Sequence, residues 1–353
     1  MATFTYSNPF TQELPTWVAN STSLPIRISK HVEVANVVSQ KLVETWKAAG
    51  LPTQSGDGEE YLGNASSCHG ISLCIPEALP GRIPDAVKLL DLVCVFDDNQ
   101  DARSCQGDHY SWRAKIAVMK IVASLLIRNP LSVASSVKAS IIYLRSLRTS
   151  PPVFPAERRS FSDLFPVRLY DFPCAITMPS LAFVLGLELS TKDVAILRCL
   201  DIVSTAAMAL SNDIMSWPKE MVESLSSKSE PCSAVTIFLK QPGCDQRLAL
   251  LQCRHKLLQF EMKAALLVDE ILANLAISPN AKKMAQSYLL AIAGFAVWQC
   301  RGKRNNSKGP VMDLVREVWE SPLPPATLND AFEADLALII DGYMSIYRKH
   351  YSE

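Results

Sequence analysis

Two short stretches of this chain gather oxygen donors at helical spacing. The first is Phe96-Asp97-Asp98-Asn99-Gln100-Asp101, which follows the apolar run Leu89-Leu90-Asp91-Leu92-Val93-Cys94-Val95. On a helix Asp97 and Asp101 share a face one turn apart, and their like charges repel unless a divalent cation sits between them. The second stretch is Asn212-Asp213-Ile214-Met215-Ser216-Trp217-Pro218-Lys219-Glu220. Asn212, Ser216 and Glu220 recur at i, i+4 and i+8, a drift of only about 80° around a helix. An amide oxygen, a hydroxyl and a carboxylate on one stripe make a hard donor set suited to Mg²⁺. The bland alternatives are a solvated acidic patch and an ordinary polar helix end. Both stretches close apolar helices, which favours the mouth of a cavity.

The elements that must carry these stripes are helices. Helical periodicity runs near 31–49, 84–104, 111–127, 131–148, 157–169, 173–187, 191–222, 232–240, 245–276, 279–300, 311–319 and 328–349. Ser278-Pro279 reads as an N-cap with proline at the first helical position, and Ser190 with Asp193 as a capping box. Runs such as 116–127 are too long for strands, and no hairpin dipeptides separate them. The expectation is an all-α, single-domain helical barrel or bundle spanning 1–353, with an irregular arm over 1–27. Pro218 should kink or end its helix, since proline in a helix interior costs about 3 kcal/mol. The segments 173–187, 202–210 and 284–300 are apolar nearly all round, which implies a deep apolar interior, either core or pocket.

Composition narrows the partners. The chain has 353 residues, 48% of them hydrophobic, and a mean hydropathy of +0.11, so a large core is available. Thirty-five basic and 35 acidic residues give a formal net charge of zero, and hence no global field for nucleic acid or an anionic membrane. Any bound anion must be held by a local cluster. The ten cysteines contain no C-x-x-C and the five histidines are scattered, which excludes the usual zinc spacings. The N-terminus has no signal-peptide pattern, so reduced thiols and a cytoplasmic location are expected. The uncharged run 284–300 is shorter than the roughly 20 residues that span a bilayer, so no membrane insertion is expected.

D-D-x-x-D followed by N-D-x-x-S-x-x-K-E resembles the class I terpene cyclases. The likeness extends to the N-terminal cyclase domain of fungal bifunctional terpene synthases, which carry a very similar N-D-x-x-S-W-P-K-E string. The resemblance implies an α-helical barrel whose two motifs face each other across its mouth and hold three Mg²⁺ ions on Asp97, Asp101, Asn212, Ser216 and Glu220. Those ions would bind the diphosphate of a linear isoprenoid. By the same resemblance Arg168, 44 residues before Asn212 and three before Asp171, is the diphosphate-sensing arginine, and Phe172 supplies an effector carbonyl. Trp298 and Arg304 match a C-terminal Trp…Arg-Tyr arrangement, but Asn305 stands where the tyrosine belongs, so Arg301 or Lys303 could serve instead. Lys219 would join the anion clamp. Expected wall residues are Leu90, Val93, Cys94, Phe96, Phe172, Phe183, Thr205, Met208 and Trp298.

The implied activity is Mg²⁺-dependent ionisation of an isoprenyl diphosphate and cyclisation of the carbocation, with diphosphate released. Because no fused prenyltransferase follows, the expected substrate is farnesyl diphosphate and the product a sesquiterpene hydrocarbon, with humulene-type closure as one guess. The alternatives are a C20 or C25 substrate, and an inactive helical binding protein of the same fold. A trans-prenyltransferase would need a second aspartate-rich motif, which is absent. A monomer or homodimer is expected. No general base is obvious in the sequence; the resemblance implies that the released diphosphate takes the final proton.

Overall fold

The computed structural model describes residues 4–48, 64–65, 68–91, 160–172, 174–227, 230–302, 309–323 and 325–351, with isolated positions between 116 and 138. Asp97, Asp101, Val93, Phe96, Cys94, Lys303, Arg304 and Asn305 lie outside the described residues.

The described elements are overwhelmingly helical. In chain order they are α1 (Thr16–Ala19), α2 (Val32–Ala48), α3 (Gly70–Cys74), α4 (83–91), α5 (Phe161–Asp171), α6 (Cys174–Leu185), α7 (Thr191–Ser227), α8 (Ala234–Leu239), α9 (Gln246–Ala273), α10 (Pro279–Arg301), α11 (Pro310–Glu320) and α12 (Asp330–Tyr351). Both sequence-read caps are present. Ser190 and Asp193 exchange side-chain-to-backbone bonds ahead of α7, and Ser278 Oγ accepts from the Ala281 N–H at the start of α10. The two caps are also joined, because Ser278 Oγ donates to Asp193 Oδ1 at 2.7 Å.

α7 is the central element. It packs against α9, α10, α6, α8 and α11, while α12 lies on α5 and α3 on α10. α7 and α10 run parallel: Asp201 meets Tyr288 at one end, and Met215 meets Cys300 toward the other. Residues 191–225 are long and apolar enough to cross a membrane, but 72% of their apolar window is buried inside the fold, as in a core helix. The described cysteines are all free, and burial pushes the thiols of Cys174 and Cys300 up to about 12, which suits packing rather than reactivity.

Of the two outcomes expected at Pro218, a kink or a helix end, the end does not occur: α7 continues to Ser227. The neighbouring Met215 and Trp217 are fully buried, so packing outweighs the local proline penalty. The arm over 1–27 is not irregular either. Ser7–Pro9 pairs antiparallel with Arg27–Ser29, and α1 lies between them. Two buried glutamates anchor this arm. Glu77 accepts the Thr5 and Tyr6 N–H groups, and Glu261 accepts the hydroxyls of Thr22 and Ser23 and the Ser23 N–H. A second small ribbon joins Asn64–Ala65 to Cys68–His69.

Close approach of α3 to α10 depends on Gly294. A Cβ there would stand 1.9 Å from the Leu73 carbonyl oxygen, a backbone atom with nowhere to go. Gly294→Ala should therefore destabilise the protein by about 1–3 kcal/mol, the usual cost of overpacking. A thermal melt checks this, and an unchanged midpoint would contradict the contact.

Candidate active site

Arg168 sits on the last turn of α5, which begins at a Ser160–Asp163 capping box and ends where Phe172 turns to extended backbone. The side chain crosses to α7. Nε donates to Asp213 Oδ1 at 2.8 Å, NH2 to Asn212 Oδ1 at 3.0 Å, and NH1 to Asp171 Oδ2 at 3.1 Å. The i,i+3 pairing with Asp171 and the reach to Asn212 therefore coexist. Burial works against the guanidinium's charge, but Asp213 and Asp171 outweigh it and hold the group more firmly protonated than a free arginine.

Asp213 is fully buried, and the sequence reading did not single it out as a site residue. Its second oxygen accepts the Ala234 N–H at 2.7 Å, at the first turn of α8. The only sequence signal was its place beside Asn212. A partner 45 residues away in sequence leaves no periodic trace.

On α7 the predicted stripe is real. Ser216 Oγ lies 2.6 Å from Glu220 Oε1 and 2.8 Å from the Asn212 carbonyl. Glu220 Oε2 is buried without a hydrogen-bond partner. Burial, reinforced by the Asp213 charge, pushes the Glu220 carboxyl up to about 8, with Arg168 and the Ser216 hydroxyl opposing. An orphaned carboxylate oxygen beside a hydroxyl and an amide oxygen is what a hard cation needs, so the donor set fits Mg²⁺. Among the described residues no three His, Cys, Asp or Glu side chains stand within reach of one metal ion. Lys219 pairs with Glu223 at 3.4 Å.

Aromatic rings gather beside this junction. The Arg168 guanidinium lies 5.4 Å from the centre of the Phe172 ring, Phe172 meets Phe295 edge-on at 5.9 Å, and Phe295 meets Trp298 at 5.5 Å. Trp298 in turn covers Gly70, where a Cβ would come within 2.9 Å of the indole. Phe172 and Trp298 are thus brought together through Phe295, which was missed by the sequence reading, whereas Met208 is buried midway along α7. Phe183 packs instead under the Arg82 guanidinium. Arg301, the alternative C-terminal cation, bonds Gln12 of the arm at 3.1 Å and lies over Phe10. On α4, Asp91 is held by His69 Nε2 at 2.9 Å and by the Ser39 hydroxyl at 2.7 Å, six residues before Asp97 in sequence.

Comparisons with known proteins give a family match for part of the chain and a fold for most of it. Residues 155–259 match the family described as "Terpene synthase family 2, C-terminal metal binding". The chain is 22% identical over 326 residues to a bifunctional sesterterpene synthase of Aspergillus aculeatus, covering 87% of this chain and 45% of that protein. It is 24% identical over 319 residues to preterpestacin I synthase of Cochliobolus heterostrophus, covering 81% of this chain and 44% of that one. The chain therefore spans less than half the length of these curated relatives. Its fold is that of aristolochene synthase from Penicillium roqueforti (TM-score 0.60, 16% identity, 76% of this chain and 95% of that one). Linalool/nerolidol synthase from Streptomyces clavuligerus is similar as well (TM-score 0.57, 13% identity, 78% and 98%).

The Arg168–Asp213 pair yields a stability prediction. Arg168→Ala leaves a fully buried carboxylate without its counter-charge, which should cost about 3–5 kcal/mol. Arg168→Lys should recover little of that, since an ammonium cannot span Asp213, Asn212 and Asp171 together. Denaturant melts of both variants measure this, and a lysine variant as stable as the parent would contradict it.

Proposed function

We propose that this chain, a class I terpene cyclase by fold and by its metal-binding segment, ionises a linear isoprenyl diphosphate and cyclises the carbocation to a terpene hydrocarbon, releasing diphosphate. The observation that carries the reading is the Asn212–Ser216–Glu220 oxygen stripe, tied by Arg168 and bordered by aromatic rings. Asn212, Ser216 and Glu220 would hold Mg²⁺ on this side of the mouth, with Asp97 and Asp101 on the other and three ions in all. Mg²⁺ bound there would neutralise the leaving diphosphate and make its departure feasible.

The chain's own residues supply the rest. Arg168 fixes the Asn212 oxygen through NH2 and adds positive charge at the mouth. Lys219 and Arg304 complete the clamp on the anion. The rings of Phe172, Phe295 and Trp298 offer their faces to a carbocation, at roughly 0.5–2 kcal/mol each. Val93, Phe96 and Met208 extend the apolar wall that keeps water from capturing the cation.

For chain length, the relatives named as a sesterterpene synthase and as fusicoccadiene synthase support a C20 or C25 substrate. Farnesyl diphosphate, with a sesquiterpene or humulene-type product, is the competing reading. The whole chain, residues 1–353, acts in this proposal as one cyclase unit, a cytosolic monomer or homodimer without affinity for nucleic acid.

The test is incubation of the purified protein with C10, C15, C20 and C25 diphosphates, following diphosphate release and the mass of extracted hydrocarbons. Release should require Mg²⁺ and stop in EDTA. Asn212→Ala and Glu220→Ala should each lower it about 10²–10³-fold while the fold persists, the scale of losing an electrostatic group from a reacting centre. Undiminished release in EDTA, or no hydrocarbon from any of the four substrates, would overturn the reading.

A further inference from the structure

A second polar site lies deeper on the helices that carry the mouth. Asp201 precedes Asn212 by eleven residues on α7, which returns it to nearly the same face about 16 Å down the helix. Tyr288 precedes Phe295 by seven residues on α10, two turns deeper on the face that presents Phe295 to Phe172 and Trp298. The two residues meet: the Tyr288 hydroxyl donates to Asp201 Oδ1 at 2.6 Å, with both side chains buried. Because α7 and α10 run parallel, the pair sits below the aromatic cluster from both sides.

Three details separate this pair from ordinary core glue. Asp201 Oδ2 takes no hydrogen bond among the described residues, so one lone-pair edge of the carboxyl stays available. Thr205, one turn above Asp201 on the same stripe, is fully buried and turns its hydroxyl to the Cys174 thiol, itself a neighbour of Asp201. Met208 continues the stripe upward toward Asn212, and Asp201 and Met208 each keep 6% exposure while residues 202–207 between them keep none. The groups facing Asp201 are Tyr288 from α10, Cys174 from α6 and Arg198 from its own helix. Tyr343 of α12 bonds Cys174. Burial pushes the Asp201 carboxyl up to about 7, against the Tyr288 bond and the Arg198 charge. The Cys174 thiol, pushed to about 12, stays neutral.

We propose that Asp201, oriented by Tyr288, is the proton acceptor that ends the carbocation cascade at the floor of the pocket. The proposal rests on the cyclase reading above. In the step, a C–H bond next to the cationic carbon breaks and its electron pair becomes the new C=C bond. The proton bonds to Asp201 Oδ2. A cation and a carboxylate become an alkene and a neutral acid, so charge is annihilated inside a low-dielectric space. The proton passes to water when product leaves and the pocket refills.

The test uses the full chain with Mg²⁺ and the isoprenyl diphosphate it turns over, reading diphosphate release and hydrocarbon composition from the same sample. Asp201→Asn keeps the shape and removes the basic oxygen. Diphosphate release should stay within about threefold of the parent, because ionisation occurs at the mouth, whereas the share of the main hydrocarbon should fall at least tenfold in favour of other alkenes or alcohols. Tyr288→Phe keeps the acceptor but frees its orientation, and should give a smaller shift in the same direction. Product composition in the parent should also change between pH 6 and pH 8, as the acid ionises, and the Asp201→Asn variant should lose that change. A parent-like product pattern in Asp201→Asn overturns the proposal. So does a loss of diphosphate release and hydrocarbon in equal proportion, alongside a lowered melting point, in both variants. A parent that releases no diphosphate fails earlier and overturns the cyclase reading itself.

Discussion

Arg168 reaches from α5 to a carboxylate that has no access to solvent, and the rest of the mouth is arranged around that ion pair. Asp213 spends one oxygen on Arg168 and the other on the Ala234 N–H, so α5, α7 and α8 converge on a single buried group. An unpaired charge at this depth costs several kcal/mol, so none of the three elements can slide without breaking the arrangement. Asn212 is next to Asp213 in sequence and about 100° away on the helix. Locking Asp213 inward therefore turns Asn212, and with it Ser216 and Glu220, toward the side where Arg168 emerges. The chemistry of the stripe depends on a contact one residue away from it.

The apolar floor and walls follow from close helix approach. Ala206, Ala207 and Ala209 on α7 are fully buried, as are Ala285 and Ala293 on α10, and small side chains let helix backbones approach each other. Gly294 does the same for α3 against α10. Large rings flank that close approach: Phe295 is next to Gly294, Trp298 covers Gly70, and Phe172, Phe295 and Trp298 touch edge-on. Offset aromatic edges expose ring faces, and ring faces are the one apolar surface that also attracts a cation. A packed aliphatic core of the same volume would exclude water equally well but would do nothing for positive charge.

Local features were readable from the sequence and long-range ones were not. The helices over 31–49, 191–222 and 279–300, and the caps at Ser190 and Ser278, depend on spacings of a few residues and stand in the structure close to where the pattern puts them. The Asn212–Ser216–Glu220 stripe is legible for the same reason. Pro218 does not mark a helix end because the burial of Trp217 is a tertiary effect that propensity does not contain. The N-terminal arm misled because its order comes from Glu77 and Glu261, partners roughly 70 and 240 residues away. Asp213 and the Asp201–Tyr288 pair were missed similarly: a buried acid looks like a surface acid until its partner is known. The acidic run at Asp97–Asp101 lies outside the described residues, so its half of the mouth rests on sequence alone.

Asp213, Glu220 and Asp201 on α7 are compensated to different degrees, and the difference separates their proposed roles. Asp213 has both oxygens satisfied, one by a guanidinium and one by a backbone N–H, which is the pattern of a group kept for architecture. Glu220 has one oxygen on the Ser216 hydroxyl and the other orphaned, with no counter-charge bonded to it. With its carboxyl pushed up to about 8 the group is stable protonated, and the proposed ligand role requires a cation to displace that proton at the orphaned oxygen. Asp201 has a single neutral donor and a free edge, with burial holding its carboxyl near neutrality. A group in that state takes up or releases a proton at little cost. Along the helix Asp201 lies about 18 Å below Asp213 and about 28 Å below Glu220, so the acid proposed for protons is well separated from the acid proposed for metal. Evolutionary replacement of Asp213 would be expected to cost the fold, of Glu220 the metal, and of Asp201 only the identity of the product, which makes the last the position on α7 where product chemistry can change while ionisation at the mouth is left intact.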